Sequence, residues 1–199
     1  CTGRGTQEFP RKIRELLAEK IARREATGQA GRPIRVMVVG VPNVGKSAFI
    51  NRMSGSRAVK AEDRPGVTRG KQWARVDKGL DMLDTPGILW PKFDDPVVGM
   101  RLAWTGAVRD DVTDVEELAS ELMAMLSREY PNSLIERYGV EARPGEMGWE
   151  LLARAARKRG FLVKGGEPDN LRMAKILLDE FRGGKLGRIT LETPPDPGS

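Results

Sequence analysis

Eight consecutive residues near position 40 have the composition of a phosphate-binding loop. They match the pattern G-x-x-x-x-G-K-[ST] and read Gly40-Val41-Pro42-Asn43-Val44-Gly45-Lys46-Ser47. Glycines let the backbone curl so that successive N–H groups point at phosphate oxygens, beside a helix N-terminus that favours anions. Lys46 would contact the β- and γ-phosphates, and the Ser47 hydroxyl would bind Mg²⁺. The residues predicted to bind nucleotide here are Asn43, Val44, Gly45, Lys46, Ser47 and Ala48.

A second motif, Asp84-Thr85-Pro86-Gly87, begins 37 residues after Ser47. In phosphate-loop enzymes an aspartate at a strand end holds the metal, and a glycine N–H nearby can sense the γ-phosphate. Taken alone, this tetrapeptide is a common turn. Its distance from Ser47 and its place after a predicted strand favour a site in which Asp84 serves the metal and Gly87 serves the nucleotide.

Thr68 is the only threonine between Ser47 and Asp84. A threonine hydroxyl in that interval would complete the magnesium shell formed with those two residues, although a loop threonine can also bond its own backbone. Phosphoryl transfer needs positioning and charge stabilisation rather than a covalent nucleophile. The candidate catalytic residues are therefore Lys46, Thr68 and Asp84.

The base of the nucleotide is not determined by these motifs. Conventional GTPases follow the Asp-x-x-Gly motif with [Asn/Thr]-Lys-x-Asp, and no such tetrapeptide occurs in the sequence. Three alternatives are open on this evidence: a GTPase whose guanine loop lies elsewhere, an ATPase or kinase, and an RNA-binding module that holds nucleotide as a structural ligand.

The predicted elements place these motifs in an α/β half followed by an α-helical half. An amphipathic helix is predicted over residues 8–25, with Phe9, Ile13, Leu16, Leu17 and Ile21 on its apolar face. A buried parallel strand is predicted at 34–39, further strands at 72–76 and 80–83, and helices at 97–107, 114–129, 132–138, 146–160 and 168–182. Asp114 is a predicted N-cap, and the predicted core of the helical half contains Trp104, Trp149, Leu118, Leu122, Met125 and Leu126.

Composition excludes several other classes of protein. The 199 residues contain no histidine and one cysteine, which excludes an internal disulfide and the Ser-His and Cys-His types of nucleophilic site. No apolar run is long enough to cross a membrane. Because a single cysteine cannot form an internal disulfide, we expect a protein of the reducing cytoplasm. The net charge is +6, and residues 146–190 hold ten basic and six acidic side chains. This charge fits either a polyanionic partner such as RNA or an ordinary soluble surface.

Three segments together resemble the circularly permuted ribosome-assembly GTPases of the YlqF/YawG type. They are the loop at residues 40–47, the segment Asp63-Arg64-Pro65-Gly66-Val67-Thr68, and the segment Asp84-Thr85-Pro86-Gly87-Ile88-Leu89-Trp90-Pro91-Lys92-Phe93. Leu102-Ala103-Trp104-Thr105-Gly106-Ala107-Val108, Tyr130-Pro131 and Glu136-Arg137-Tyr138-Gly139 continue the likeness. The resemblance implies a Ras-like, circularly permuted P-loop domain with an incomplete sheet at 1–98 and an all-α RNA- or ribosome-binding domain at 99–190. The proline-rich final residues predict a disordered tail at 191–199.

The same resemblance implies the ligands. GTP and GDP, Mg²⁺ and an activating K⁺ bound through Asn43 are expected, with the large ribosomal subunit and its rRNA as partners and no membrane or stable homo-oligomer. The family's guanine motif precedes the phosphate loop, so this chain is expected to lack it, and Cys1 and Thr2 are the candidate base contacts. Ile88 stands where Ras-like enzymes place a water-orienting glutamine, which implies slow hydrolysis that the ribosomal subunit stimulates.

The helical half carries the residues expected to meet RNA. Its basic residues are Arg154, Arg157, Lys158, Arg159, Lys164, Arg172, Lys175, Arg182, Lys185 and Arg188. Of these, Arg154, Arg157, Lys158 and Lys175 are the named candidates for contacts with rRNA phosphates, the first three because their spacing places them on one helix face.

Overall fold

The computed structural model describes residues 5–29, 31–55, 59, 72–89, 93–108, 110 and 113–193. It divides the chain into two compact units, Cys1–Trp90 and Pro91–Ser199. None of the helices in the described residues is long and apolar enough to cross a membrane. Thr68, Cys1, Thr2 and Trp90, four residues of the sequence predictions, lie outside the described residues.

The first unit is an α/β arrangement, as predicted. After a 3₁₀ turn at Thr6–Glu8, its elements are α1 (Phe9–Leu16), α2 (Ala18–Ala26), β1 (Ile34–Val38), α3 (Lys46–Ser54), β2 (Gln72–Asp77) and β3 (Leu80–Asp84). The single helix predicted over 8–25 is wrong in one respect. The backbone of Leu17 leaves the helical region at φ −106° and ψ 14°, so the helix is divided in two and Leu16 becomes exposed.

The three strands form one sheet in the order β1-β3-β2. β1 is parallel to β3, with Val38 opposite Asp84, and β2 is antiparallel to β3. Because carboxyl ends of parallel strands meet at one sheet edge, this register brings the loop after β1 beside the loop after β3. One sheet face packs on α3 through a core of Ile50, Val59, Ala74 and Met82.

The opposite face of the sheet is exposed at its two edge strands, which corrects the prediction of a buried β1. Met37 in β1 is 60% exposed and Trp73 in β2 is 51% exposed. Arg35 lies 5.1 Å from the centre of the Trp73 ring, a cation–π distance. β1 alternates between half-buried and exposed residues because Val36 and Val38 pack against the core on one face, whereas Arg35 and Met37 lie on the other.

The second unit contains five helices in its described residues. They are α4 (Pro96–Trp104), α5 (Val115–Glu129), α6 (Pro131–Tyr138), α7 (Gly148–Lys158) and α8 (Asn170–Arg182). Each begins or ends within a few residues of its predicted bounds. Asp114 caps α5 as predicted, accepting hydrogen bonds from the backbone N–H groups of Glu116 and Glu117. Of the predicted tail, Leu191 packs on the core, and residues 194–199 lie outside the described part.

The core of this unit lies mainly between α5, α7 and α8. The predicted core residues Trp104, Leu118, Leu122, Met125 and Leu126 are all buried. The Trp104 indole N–H donates to the Leu118 carbonyl at 2.9 Å, so its polar group is satisfied. Trp149 was predicted to join this core and does not, because it lies in the first turn of α7 on the outer side and is 58% exposed.

A buried carboxylate, Glu180 in α8, ties α6 to this core. It accepts hydrogen bonds from the Arg137 guanidinium, at 2.9 Å through Nε, and from the Tyr138 hydroxyl at 2.8 Å. Arg159 lies 3.6 Å away. The Arg137 hydrogen bonds lower the pKa of Glu180 to about 2, whereas burial raises the pKa of Tyr138.

Replacing Glu180 by glutamine is expected to lower the free energy of unfolding by about 2 kcal/mol at pH 7, because it removes a buried carboxylate that accepts charge-assisted hydrogen bonds from the partly exposed Arg137. The folded pKa of Glu180 is depressed, so its contribution is present above the unfolded value of 4.5 and is lost as the pH falls toward 2. Urea unfolding should therefore show that the difference in free energy of unfolding between the native protein and Glu180→Gln becomes smaller as the pH falls from 4.5 toward 2. Glu167→Gln, at an exposed pair with Arg157, is the control and should change stability by less than about 0.5 kcal/mol. A gap of constant size at every pH would contradict the charge explanation.

Candidate phosphate-binding site

The loop at residues 40–47 joins the end of β1 to the start of α3, as the pattern predicts. Gly45 has φ 89°, a conformation that strains other residues. Asn43 has φ 59° and is the only non-glycine residue with positive φ among the described residues. Asparagine tolerates this region better than most side chains. These two positions give the loop the curled form that phosphate binding requires.

Lys46 lies inside this curl with only 9% of its surface exposed. Its ammonium group donates to the carbonyl oxygens of Gly40 at 3.1 Å and Val41 at 2.7 Å. Burial lowers the pKa of Lys46, and the nearby charge of Asp84 opposes that effect. The side chain is thus already directed into the loop where phosphate oxygens would enter.

Ser47 and Asp84 meet across the two loops. The Ser47 hydroxyl donates to Asp84 Oδ2 at 2.6 Å, and Asp84 is fully buried. The predicted pairing of two motifs 37 residues apart is therefore present in the structure. A hydroxyl and a carboxylate oxygen are donors of the kind that Mg²⁺ takes when phosphates and water supply its other ligands, so these residues fit the ion. Thr68, the third predicted ligand, lies outside the described residues.

The loop after β3 is fixed to its neighbours by two contacts that sequence reasoning missed. The Thr85 hydroxyl donates to the Val38 carbonyl at 2.7 Å and so holds the loop to the end of β1. A Cβ added to Gly87 would lie 2.4 Å from the backbone N and Cα of Pro42. Only glycine allows this approach of the two backbones. Thr85 and Pro42 lie within the quoted motifs, but their spacing does not reveal that they make these contacts.

The remaining predicted site residues of this unit have diverse environments. Val44 and Ala48 are exposed at the start of α3, and Gly87 is partly buried. Ile88 is 77% exposed. The sequence alone is equally consistent with a packing role for Ile88, but the structure places its side chain in solvent.

The four candidate RNA contacts are not equally available. Arg154 donates to Glu146 at 3.2 Å and to the Glu141 carbonyl at 2.6 Å. Lys158 donates to the Gly139 carbonyl. Arg157 forms an exposed pair with Glu167 at 3.3 Å. Lys175 is exposed and makes no such contact within the described residues. Two side chains of the predicted helix face, Arg154 and Lys158, therefore form hydrogen bonds within the helical unit.

Known proteins resemble the chain across both units. Residues 35–137 match the family of 50S ribosome-binding GTPases. The protein "Ribosome biogenesis GTPase A" of Bacillus cereus is 42% identical over 98% of this chain and 66% of its own length. Its counterpart in Bacillus licheniformis is 41% identical over 98% of this chain and 68% of its length.

A solved structure agrees with these relatives. The GDP-bound structure of TM YlqF has a TM-score of 0.54 and 29% identity, covering 91% of this chain and 66% of that one. The chain thus spans about two thirds of the length of the relatives that it matches.

Proposed function

This chain belongs to the family of 50S ribosome-binding GTPases, and we propose that it binds GTP, hydrolyses it to GDP and phosphate, and serves in assembly of the large ribosomal subunit in the cytoplasm. The observation that carries this proposal is the hydrogen bond between Ser47 and Asp84 beside the buried Lys46. It joins the two motifs that a nucleoside triphosphatase of this type requires. We further propose a circularly permuted P-loop domain at 1–98 and an all-α ribosome-binding domain at 99–190.

In this mechanism the protein positions the triphosphate and offsets its charge. The backbone N–H groups of residues 43–48 and the Lys46 ammonium bind the β- and γ-phosphates. Ser47, Asp84 and Thr68 would hold Mg²⁺, which neutralises charge on the phosphates when bound. Gly87 offers its backbone N–H toward the γ-phosphate. These residues provide charge stabilisation without a covalent intermediate.

Ile88 occupies the position at which Ras-like enzymes place a water-orienting glutamine. The Ile88 side chain cannot accept or donate a hydrogen bond, and it is exposed. Hydrolysis should therefore be slow in the isolated protein and faster on the ribosomal subunit, which would supply the missing group or order the loop. Cys1 and Thr2 remain proposed contacts to the guanine base.

The proposal is tested by measuring phosphate release from GTP and from ATP by the intact protein, with and without purified large ribosomal subunits. We expect GTP to be preferred and the subunits to raise the rate. A preference for ATP would indicate another class of phosphate-loop enzyme. Turnover that is fast without subunits would contradict the role proposed for Ile88.

The proposed potassium contact of Asn43 gives a prediction of its own. The left-handed backbone at Asn43 is acceptable to glycine, so Asn43→Gly removes the amide and keeps the loop conformation. In KCl, Asn43→Gly should hydrolyse GTP no faster than the native protein does in NaCl. Asn43→Ala adds backbone strain of about 1 kcal/mol and should bind GTP more weakly as well. Potassium stimulation that survives in Asn43→Gly would remove Asn43 from the cation site.

A further inference from the structure

The segment between α7 and α8 folds into a small hairpin. The N–H of Val163 donates to the Glu167 carbonyl at 2.9 Å, and that of Asp169 donates to the Phe161 carbonyl at 2.8 Å. Leu162 pairs with Pro168 in an isolated antiparallel bridge. The loop of this hairpin is therefore the tripeptide Lys164-Gly165-Gly166, directed away from the helical core and exposed at every residue.

The backbone of the loop Lys164-Gly165-Gly166 is exposed. Gly165 and Gly166 have φ of 109° and 84°, and a Cβ added to either would meet no heavy atom within 4 Å. The N–H groups of Lys164 and Gly165 have no hydrogen-bond acceptor in the described residues. Backbone donors without side chains around them can be approached closely by phosphate oxygens, as glycine loops in RNA-binding modules are.

Two more cationic side chains lie on the adjoining first turns of α8. The Arg172 guanidinium stacks 4.4 Å from the centre of the Phe161 ring, at the base of the hairpin. The ring orients this group while leaving its N–H donors available. Lys175 is exposed one turn further on the same helix face. We define the hairpin surface as Lys164, Gly165, Gly166, Arg172 and Lys175.

The acidic groups nearby offset only part of this charge. Asp169 accepts the Arg172 backbone N–H as the cap of α8, and Glu167 pairs with Arg157. Asp179 lies one turn beyond Lys175. Three exposed apolar side chains, Leu162, Val163 and Leu171, border the basic groups. A partner for this surface must therefore combine negative charge with apolar faces, as unpaired nucleotides do.

We propose that the hairpin surface binds the backbone of an RNA segment containing unpaired nucleotides. The choice of RNA over an acidic protein rests on the proposed role in ribosome assembly, whereas the site itself rests on the exposed loop and its cations. The proposed centre of RNA contact is therefore the hairpin and α8. Arg154 and Lys158 are less available because they donate hydrogen bonds within the unit.

The test compares two triple variants with equal loss of charge. Lys164→Gln with Arg172→Gln and Lys175→Gln alters the hairpin surface. Lys12→Gln with Lys20→Gln and Arg23→Gln, all exposed on α1 and α2, is the control. Affinity for a stem–loop RNA of mixed sequence is measured at several salt concentrations. We expect the hairpin variant to lose about 30-fold in affinity at low salt and its salt slope to fall by about two, since each phosphate contact to single strands contributes roughly 0.7. The control should lose less than about threefold.

Several results would overturn the proposal. An equal loss in both variants would show a general charge effect, and an unchanged hairpin variant would show that RNA binds elsewhere. Polyglutamate binding that depends on the hairpin as strongly as RNA binding does would indicate an acidic protein partner instead. Binding of a fluorescent GTP analogue is measured on the same samples. If no sample binds it, the proposed GTPase function fails while the RNA result stands.

Discussion

Replacing Lys46 by alanine is expected to reduce the affinity of the intact protein for GTP by about 100-fold. Hydrogen bonds that involve a charged group contribute about 1.5–3 kcal/mol each, and a 100-fold loss corresponds to about 2.7 kcal/mol. The larger end of that range applies here because Lys46 is buried and already oriented by the carbonyls of Gly40 and Val41. An equilibrium titration with a fluorescent GTP analogue measures the change.

The hydrogen bonds from Lys46 to the loop carbonyls require a second variant, which separates loss of charge from loss of loop structure. Lys46→Ala also removes the two hydrogen bonds from Lys46 to the loop carbonyls, so a loosened loop would contribute part of the loss in GTP affinity. Lys46→Met keeps the aliphatic stem and its packing while removing the charge, and it should lose nearly as much GTP affinity as Lys46→Ala. Lys12→Ala, at an exposed position on α1, should bind GTP as the native protein does. Unchanged GTP affinity in folded Lys46→Met would exclude Lys46 from the phosphate site.

The phosphate site was the part of the molecule most accessible to sequence reasoning. The curl of residues 40–47 depends on glycines at fixed positions, and strand periodicity located β1 and β3 around it. The Ser47–Asp84 hydrogen bond follows once those strands are parallel neighbours with Val38 opposite Asp84. The family indicated by the same motifs is confirmed by the match over residues 35–137.

Sequence reasoning failed where the burial or hydrogen bonding of a residue depends on which elements pack against each other. Trp149 is a large aromatic residue of the kind found in cores, but its side chain lies on the outer side of the first turn of α7. Arg154 and Lys158 have the spacing of a solvent-exposed face, but both find acceptors in the segment that precedes α7. Met37 reads as a buried strand residue, and its exposure follows from the edge position of β1. Periodicity gives the faces of an element and does not identify what covers each face.

Gly148 provides the clearest case of information that only packing contains. Its φ is not positive, so no backbone strain requires glycine there. By helix propensity alone, an alanine at such a position would be neutral or stabilising by up to about 1 kcal/mol. In the structure an added Cβ would lie 2.0 Å from the carbonyl oxygen of Ser120 and 3.1 Å from the Cβ of Ala124. The glycine permits the close approach of α7 to α5.

Gly148→Ala is therefore expected to destabilise the helical unit by about 3 kcal/mol, the upper part of the range for overpacked sites, because the atom it meets is backbone and cannot rotate away. Gly99→Ala in α4 is the matched control: its Cβ would lie 3.2 Å from a ring carbon of Phe93, a side chain that can shift. The control should change stability by less than about 1 kcal/mol in either direction. Urea unfolding followed by circular dichroism compares them, and hydrogen exchange in α5 and α7 locates the effect. Equal stabilities for the two variants would mean that α5 and α7 can separate at little cost. The burial of Leu122, Leu126, Leu151 and Leu152 around this crossing argues against that.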